Sequence, residues 1–138
     1  MNPTRSLSNL SGPGKPLKSE PPDPVEFAGL CRTGCARWVD AQNHDLSIES
    51  RFDLAYNAAH ALSLAALRKM GFRPSHRYVA FQVWPHTLGL SPEVWRVLDL
   101  CHAKRNMGEY EGWLDVDERL LSDLIAAVHR IEEALLKA

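Results

Sequence analysis

Apolar residues recur at three- and four-residue intervals along most of the chain after residue 22, which is the spacing of one face of an α-helix. The pattern predicts a first helix that begins at Asp23-Pro24, because aspartate caps free backbone N–H groups and proline suits the first helical position. This helix fades at residues 42–44. Ser47 is expected to cap a second helix that ends at Gly71.

The second helix contains the stretch FDLAYNAAHALSLAALRKM, which is dense in alanine and leucine and apolar almost all round. Both residue types favour helix formation. A helix without a broad polar face is usually buried among other helices. The second helix is therefore expected at the centre of a bundle.

Three more segments complete the pattern. Residues 77–88, RYVAFQVWPHTL, contain β-branched and aromatic residues, but a single strand would have no partner, so we expect a third helix that Pro85 bends or ends. The SPE sequence at residues 91–93 predicts the start of a fourth helix, and Asp115 with Glu118 predicts a capping box for the last. The expected fold is all-α, a four-to-five-helix up-and-down bundle.

The first 22 residues differ from this pattern, with five prolines, several serines and two glycines. Such a segment cannot bury enough apolar surface to offset the entropy of ordering it. We expect residues 1–22 to form a flexible tail. Residues 23–138 are expected to form a single domain, because a chain of 138 residues supports one core.

Composition narrows the function classes. The formal net charge of -1 provides no overall attraction to nucleic acid or anionic membranes, so any such binding needs a local patch. Three irregularly spaced cysteines do not form a disulfide framework and fit a reducing compartment. No apolar run is long enough to span a membrane, and the N-terminus lacks the apolar core of a signal peptide. A cytoplasmic protein without membrane contact is expected.

Metal and cofactor chemistry are not expected. Cys31 and Cys35 are one helical turn apart, but no second pair of cysteines or histidines completes a tetrahedral zinc site. No Gly-rich phosphate loop follows a predicted strand, which excludes P-loop and Rossmann nucleotide binding. The sequence therefore predicts no metal and no cofactor.

A polar stripe interrupts the second helix, where Asp53, Asn57 and His60 share one face. It is either a solvated edge or the partner of polar groups on another helix, since buried polar groups need hydrogen bonds. The candidate partners lie in CHAKRNMGEYEGW, residues 101–113, where Arg105 is expected to engage Asp53 bidentately. The partners considered are Arg105, Asn106 and Tyr110.

Basic residues also gather where the second helix ends. Arg68, Lys69, Arg73, His76 and Arg77 either complement the helix dipole or bind phosphate, and the sequence leaves both open. The tryptophans are expected to anchor the core or an interface. Trp113 is the one expected at a subunit contact.

The chain from about residue 24 onward resembles the HEPN domain superfamily, through ESRFDLAYNAAHALSLAAL and the arginine-containing KRNMGEYEG. The resemblance implies a helical homodimer that belongs to a bacterial toxin–antitoxin, defence or nucleotidyltransferase-associated system. Partners implied by this context are a cognate nucleotidyltransferase or a toxin or antitoxin protein.

Ribonuclease members of that superfamily use an arginine followed four to six positions later by a histidine, paired across the dimer. Arg105 matches the arginine and Asn106 the polar residue that often follows it. The histidine is absent, and His102 precedes the arginine instead. The window after Arg105 contains Glu109, Tyr110 and Glu111.

Three functions are expected in order. The first is a module that binds a nucleotide or an RNA phosphate, with Arg105 and Tyr110 beside further binding residues. The second is a metal-independent endoribonuclease with Arg105 and either Glu109 or Tyr110 as catalytic groups, and the third is an antitoxin-like partner that binds only protein. The further binding residues of the first hypothesis are Asp53, Asn57, His60, Lys104 and Asn106.

Overall fold

A computed structural model describes residues 7–75 and 89–137. It confirms an all-α helical bundle, to which one small two-stranded sheet is added. The predicted helix at residues 77–88 lies outside the described residues. The elements in chain order are β1 (Leu17–Ser19), α1 (Pro24–Ala41), α2 (Ile48–Lys69), β2 (Phe72–Pro74), α3 (Pro92–Glu111) and α4 (Glu118–Lys137).

The first two helices begin and end where the sequence predicts. Asp23 Oδ1 accepts a hydrogen bond of 3.0 Å from the backbone N–H of Val25, and Ser47 Oγ accepts one of 3.1 Å from that of Ser50. Gly71 follows the end of α2 with a φ of 91°, a left-handed conformation that glycine adopts without steric cost. These caps explain why local sequence was sufficient to locate both helices.

Helix α2 forms the centre of the bundle, as predicted. It packs against α1 on one side and against α4 on another, and α4 turns its own apolar face inward. The α1–α2 approach is close at Gly34, where an added Cβ atom would lie 2.7 Å from Leu62 Cγ. The buried α4 residues are Leu121, Leu124, Ala127, Val128, Ile131 and Leu135.

The start of α4 corrects the predicted capping box. Asp117 caps the helix, because its Oδ1 accepts a hydrogen bond of 2.8 Å from the backbone N–H of Leu120. Asp115 instead accepts a hydrogen bond of 3.1 Å from Lys104 Nζ on α3. The helix begins at Glu118, so Asp117 directly precedes it, whereas Asp115 lies two residues earlier and pairs with Lys104.

Residues near the N-terminus are packed, in contrast to the flexible tail expected for residues 1–22. Strand β1 pairs antiparallel with β2, with Leu17 opposite Pro74. Leu7 and Leu17 are buried in a small cluster with Leu67 and Phe72. From residue 7 onward, therefore, the segment does find an apolar surface to cover, at the end of α2.

Arg68 connects the N-terminal segment to the end of α2. Its side chain is only 2% exposed and donates from Nε to Glu26 Oε1 at 2.6 Å. Its remaining nitrogens donate to the backbone carbonyls of Glu20, Pro21 and Phe72 at 3.0, 2.7 and 3.2 Å. A buried guanidinium requires such partners.

The same acidic residues bind a second arginine. Arg73 Nε donates to Glu20 Oε2 at 2.7 Å, and its terminal nitrogen donates to both carboxylate oxygens of Glu26, at 3.0 and 2.7 Å. Arg68 and Arg73 are thus neutralised within the fold. These ion pairs give Arg68 and Arg73 a structural role, and phosphate binding by the basic set stays a prediction. His76 and Arg77 lie outside the described residues.

Candidate functional site

The candidate site lies between α2 and the C-terminal half of α3, where Arg105 reaches across to α2. The Arg105 guanidinium carbon lies 4.5 Å from the centroid of the Tyr56 ring, in cation–π contact. One terminal nitrogen lies 3.7 Å from Asp53 Oδ1. The ring and the carboxylate together hold the charged group in one place.

The contact between Arg105 and Asp53 was predicted from sequence, but its geometry differs from the expected bidentate pair. A separation of 3.7 Å between one nitrogen and one oxygen is an ion pair without a hydrogen bond. The Asn57 side chain contacts the backbone of Asp53, because its Nδ2 donates a hydrogen bond of 2.8 Å to the Asp53 carbonyl. Asp53 itself is largely exposed, which weakens its hold on the arginine.

A histidine that sequence reasoning set aside belongs to this site. His102 Nδ1 lies 2.7 Å from the Tyr56 hydroxyl, and its Nε2 lies 3.0 Å from Asn106 Nδ2. Burial lowers the pKa of His102, and Arg105 lowers it further against the opposing charges of Asp99 and Glu109. The imidazole is therefore neutral at pH 7.

These contacts connect two helices through one line of side chains. His102, Arg105 and Asn106 occupy a single turn of α3, while Asp53 and Tyr56 occupy a single turn of α2. Residues three or four apart on a helix lie on the same face, so each helix presents its members together. Sequence reasoning missed Tyr56, which reads as a core aromatic, and His102, which precedes the arginine.

The other predicted site residues form two groups in the structure, one near Arg105 and one away from it. His60 lies one turn beyond Asn57 on the same face of α2 and is half-buried. Glu109 is exposed one turn after Arg105, and its charge partly opposes the lowering of the His102 pKa. The structure therefore places Glu109 at the edge of the site, where its charge acts on the imidazole.

Two predicted residues lie away from the site. Tyr110 is 95% exposed, and no described residue hydrogen-bonds to its hydroxyl. Lys104 points to another flank of α3, where Nζ binds Asp115 at 3.1 Å. Positions 104 and 110 lie about 100° and 140° from Arg105 around the helix axis, at about 100° per residue. The structure does not bring either side chain to Arg105.

The described residues contain no group of three or more potential metal ligands from His, Cys, Asp and Glu. Burial raises the pKa of the Cys31 thiol and, first among several causes, that of Cys35, so both are protonated at neutral pH. Nor does any helix in the described part of the chain have the length and hydropathy required to cross a bilayer.

No protein-family model, curated protein or solved structure matches this chain.

Proposed function

We propose that this chain is a HEPN-like module of a bacterial toxin–antitoxin or defence-type system, and that it binds a phosphate group of RNA or a nucleotide through Arg105. One observation carries the proposal. The guanidinium stacks on the Tyr56 ring beside Asp53, yet no group in residues 7–75 and 89–137 accepts a hydrogen bond from it.

A guanidinium in this state suits a phosphate. Its planar set of N–H donors matches two phosphate oxygens, and its position is fixed before the ligand arrives, which reduces the entropy lost on binding. The Arg105 side chain is 25% exposed, so a ligand reaches it from solvent. The Asn106 amide on the next residue offers further hydrogen bonding to the same ligand.

Nearby acidic groups set the expected strength. Asp53 lies 3.7 Å from the arginine, and Asp99 and Glu109 act electrostatically on His102 in the same turn of helix. A phosphate must compete with Asp53 for Arg105 and is repelled by all three carboxylates. Binding should therefore be weak, local and reduced by salt.

This competition gives a sharp experiment. Fluorescence anisotropy with a labelled single-stranded RNA, and competition by ATP without metal, measure the affinity at low salt. Arg105→Ala should abolish binding, whereas Asp53→Asn should tighten it by about tenfold because a competing charge is removed. Arg130→Ala is the matched control, since Arg130 is an exposed arginine on α4.

Two outcomes would reject the phosphate site. The first is an absence of binding to both probes, and the second is binding that Arg105→Ala leaves at the wild-type level. Equal losses in the Arg105 and Arg130 variants would indicate nonspecific attraction. Circular dichroism of each variant verifies that the fold is intact.

The position of His102 favours ribonuclease activity as the second candidate. The imidazole lies in the same turn of α3 as Arg105, and its Nε2 would supply the acid–base group that the window after the arginine lacks once it exchanges the Asn106 amide for the substrate. General acid–base catalysis contributes roughly 10²- to 10⁴-fold to a rate. The arginine would stabilise charge on the phosphorane.

Cleavage of total RNA tests this candidate separately from binding. A ribonuclease of this kind should lose cleavage in both His102→Gln and Arg105→Ala while the first variant retains RNA binding. If the wild-type protein binds RNA and leaves it intact, the enzyme candidate is rejected and the binding module stands.

A further inference from the structure

The second half of α3 carries large apolar side chains that the fold leaves exposed. Leu100, Met107 and Trp113 are 48%, 55% and 60% exposed, and all three line one groove of about 290 Å³. Ala103 lines the same groove, which we call the α3 groove. Contiguous apolar surface of this kind marks a place where another molecule binds, whereas single exposed apolar residues need no such explanation.

The loop after α3 builds one wall of the groove. Leu114 packs against the core, and an added Cβ atom at Gly108 would lie 3.1 Å from Leu114 Cδ1, so the loop lies directly against the helix. Lys104 Nζ donates a hydrogen bond of 3.1 Å to Asp115 Oδ2 and joins helix and loop a second time. Trp113 directly precedes these attachments, and its side chain stays at the surface. The groove is therefore formed before a partner arrives.

The segment that forms this end of the groove is acidic. Residues 106–118 contain five carboxylates and no lysine or arginine, although the net charge of the whole chain is only -1. Cations from outside this segment pair with two of the carboxylates, at 3.1 and 3.6 Å. Glu111 lines the groove and forms no ion pair with another residue in the described part of the chain. The five carboxylates belong to Glu109, Glu111, Asp115, Asp117 and Glu118.

Two of these carboxylates lie where the helix itself disfavours them. Glu109 and Glu111 are in the last turn of α3, which contains no basic residue. The C-terminal end of a helix carries partial negative charge, so carboxylates there lower the stability of the helix. Helix α2 has the favourable arrangement, with Arg68 and Lys69 in its last turn. A local arrangement that lowers stability is expected where a surface serves a function.

We propose that the α3 groove binds a basic amphipathic helix of a partner protein. An apolar side chain of that helix enters the groove between Met107 and Trp113, and its lysines or arginines pair with Glu111 and the neighbouring carboxylates. The Trp113 ring offers a cation a second favourable contact. The same charges oppose a second copy of this chain as the occupant, because two such surfaces would bring like charges together.

The α3 groove is separate from the Arg105 site. Met107 follows Arg105 by two residues and lies about 160° away around the helix. A partner in the groove therefore leaves the Arg105 guanidinium open to its own ligand. Helix binding does not depend on phosphate binding, and either can occur without the other.

Isothermal titration calorimetry with a synthetic peptide tests the groove. The probe is a helix of about 18 residues that carries leucines on one face and lysines elsewhere. The wild-type chain should bind it, whereas a peptide with glutamate in place of lysine should not bind. A peptide of the same composition, with its leucines spread around the helix, should bind roughly tenfold more weakly because it presents no apolar face.

Two substitutions test the charge and the apolar contact in turn. Glu111→Lys and Trp113→Ser should each weaken peptide binding by about tenfold. Glu93→Lys is the matched control for charge, since Glu93 is exposed on the same helix about 27 Å away along its axis. Leu136→Ser is the control for the apolar contact, since Leu136 is 74% exposed on α4. Both control variants should bind the peptide as the wild type does, and circular dichroism verifies that every variant is folded.

The proposal is overturned if the basic peptide does not bind, or if the acidic peptide binds as tightly. Equal losses in Glu111→Lys and Glu93→Lys also overturn it, because they indicate attraction to net charge alone. Sedimentation equilibrium without peptide tests the other occupant. A wild-type dimer that Trp113→Ser converts to a monomer would show that a second copy fills the groove, and would overturn the proposal too.

Discussion

Arg105 and Tyr56 form a stacked pair across two helices, with the guanidinium carbon 4.5 Å from the ring centroid. The same tyrosine reaches His102 through its hydroxyl, at 2.7 Å. One aromatic side chain therefore positions both the cation and the imidazole of the candidate site. Its ring and its hydroxyl make separable contributions.

Two substitutions of Tyr56 separate those contributions. Tyr56→Phe keeps the ring and should lower the free energy of unfolding by about 1 kcal/mol through the lost hydrogen bond. Tyr56→Leu also removes the cation–π contact and should cost about 2 kcal/mol more. Urea unfolding measures both values. Equal losses would show that the ring does not stabilise Arg105.

Arg68 should be among the most sensitive positions in the chain. Arg68→Met removes a buried cation from two carboxylates, those of Glu20 and Glu26, and a donor from three backbone carbonyls, so the expected loss is roughly 3–5 kcal/mol in the free energy of unfolding. Arg73→Ala is the control, because Arg73 binds the same carboxylates from a more exposed position. Its loss should be clearly smaller. A reversed order in chemical denaturation would contradict the structural role given to Arg68.

Glu26 should make the fold sensitive to acid. Hydrogen bonds from Arg73 and then Arg68 lower the pKa of Glu26 from its ordinary value of 4.5. A carboxyl whose pKa is lower in the folded state stabilises the fold above the unfolded value and loses this effect as the pH falls. Stability measured from pH 6 downward should therefore decline below about pH 4.5. Glu26→Gln should show a shallower decline, and an unchanged slope would argue against this ionic cluster.

His102 should add a second dependence at higher pH. Burial lowers its pKa below the ordinary 6.5, so the unfolded chain binds this proton more readily than the folded one. The stabilising contribution is complete above pH 6.5 and is lost as the pH falls through the folded value. NMR titration of the imidazole should give a pKa below 6.5 in the wild type. A value at or above it would show that the ring is not desolvated in the site.

Two glycines on α1 should respond to the same substitution with opposite signs. Gly34→Ala places a Cβ atom 2.7 Å from Leu62 Cγ, and the resulting overpacking should cost about 1–3 kcal/mol. At Gly29 the nearest atom is the end of the Arg32 side chain at 3.9 Å. Gly29→Ala should therefore stabilise α1 by about 0.5–1 kcal/mol through helix propensity. Thermal unfolding of both variants checks the helix crossing.

The sequence predicted what depends on local spacing. Asp23 and Ser47 cap their helices because the cap and the amide it binds lie within three residues of each other. Distant partners limit such reasoning. The cap of α4 was predicted at Asp115, but Lys104 from the preceding helix binds Asp115, and Asp117 caps the helix instead. The N-terminal strand depends on Arg68, whose partners Glu20 and Pro21 are more than forty residues away in sequence.

The site was predicted in part for the same reason. Opposite charges suggested that Asp53 and Arg105 would meet, and they do. The role of Tyr56 follows from how α2 and α3 cross, which no local pattern encodes. His102 was set aside because it precedes the arginine in the chain. On a helix, however, the residue three positions before Arg105 shares its face, just as the residue three positions after it does.

Helix α3 is attached to the bundle by few side chains. Three of its 20 residues are buried, against 13 of 22 in α2. Opening of the protein should therefore begin at α3, because little apolar surface is exposed when it separates. Arg105 and Tyr56 lie across the boundary between α2, the central helix, and α3, which has few contacts with it. A ligand that bound both residues would join α2 to α3 and would oppose the separation of the two helices.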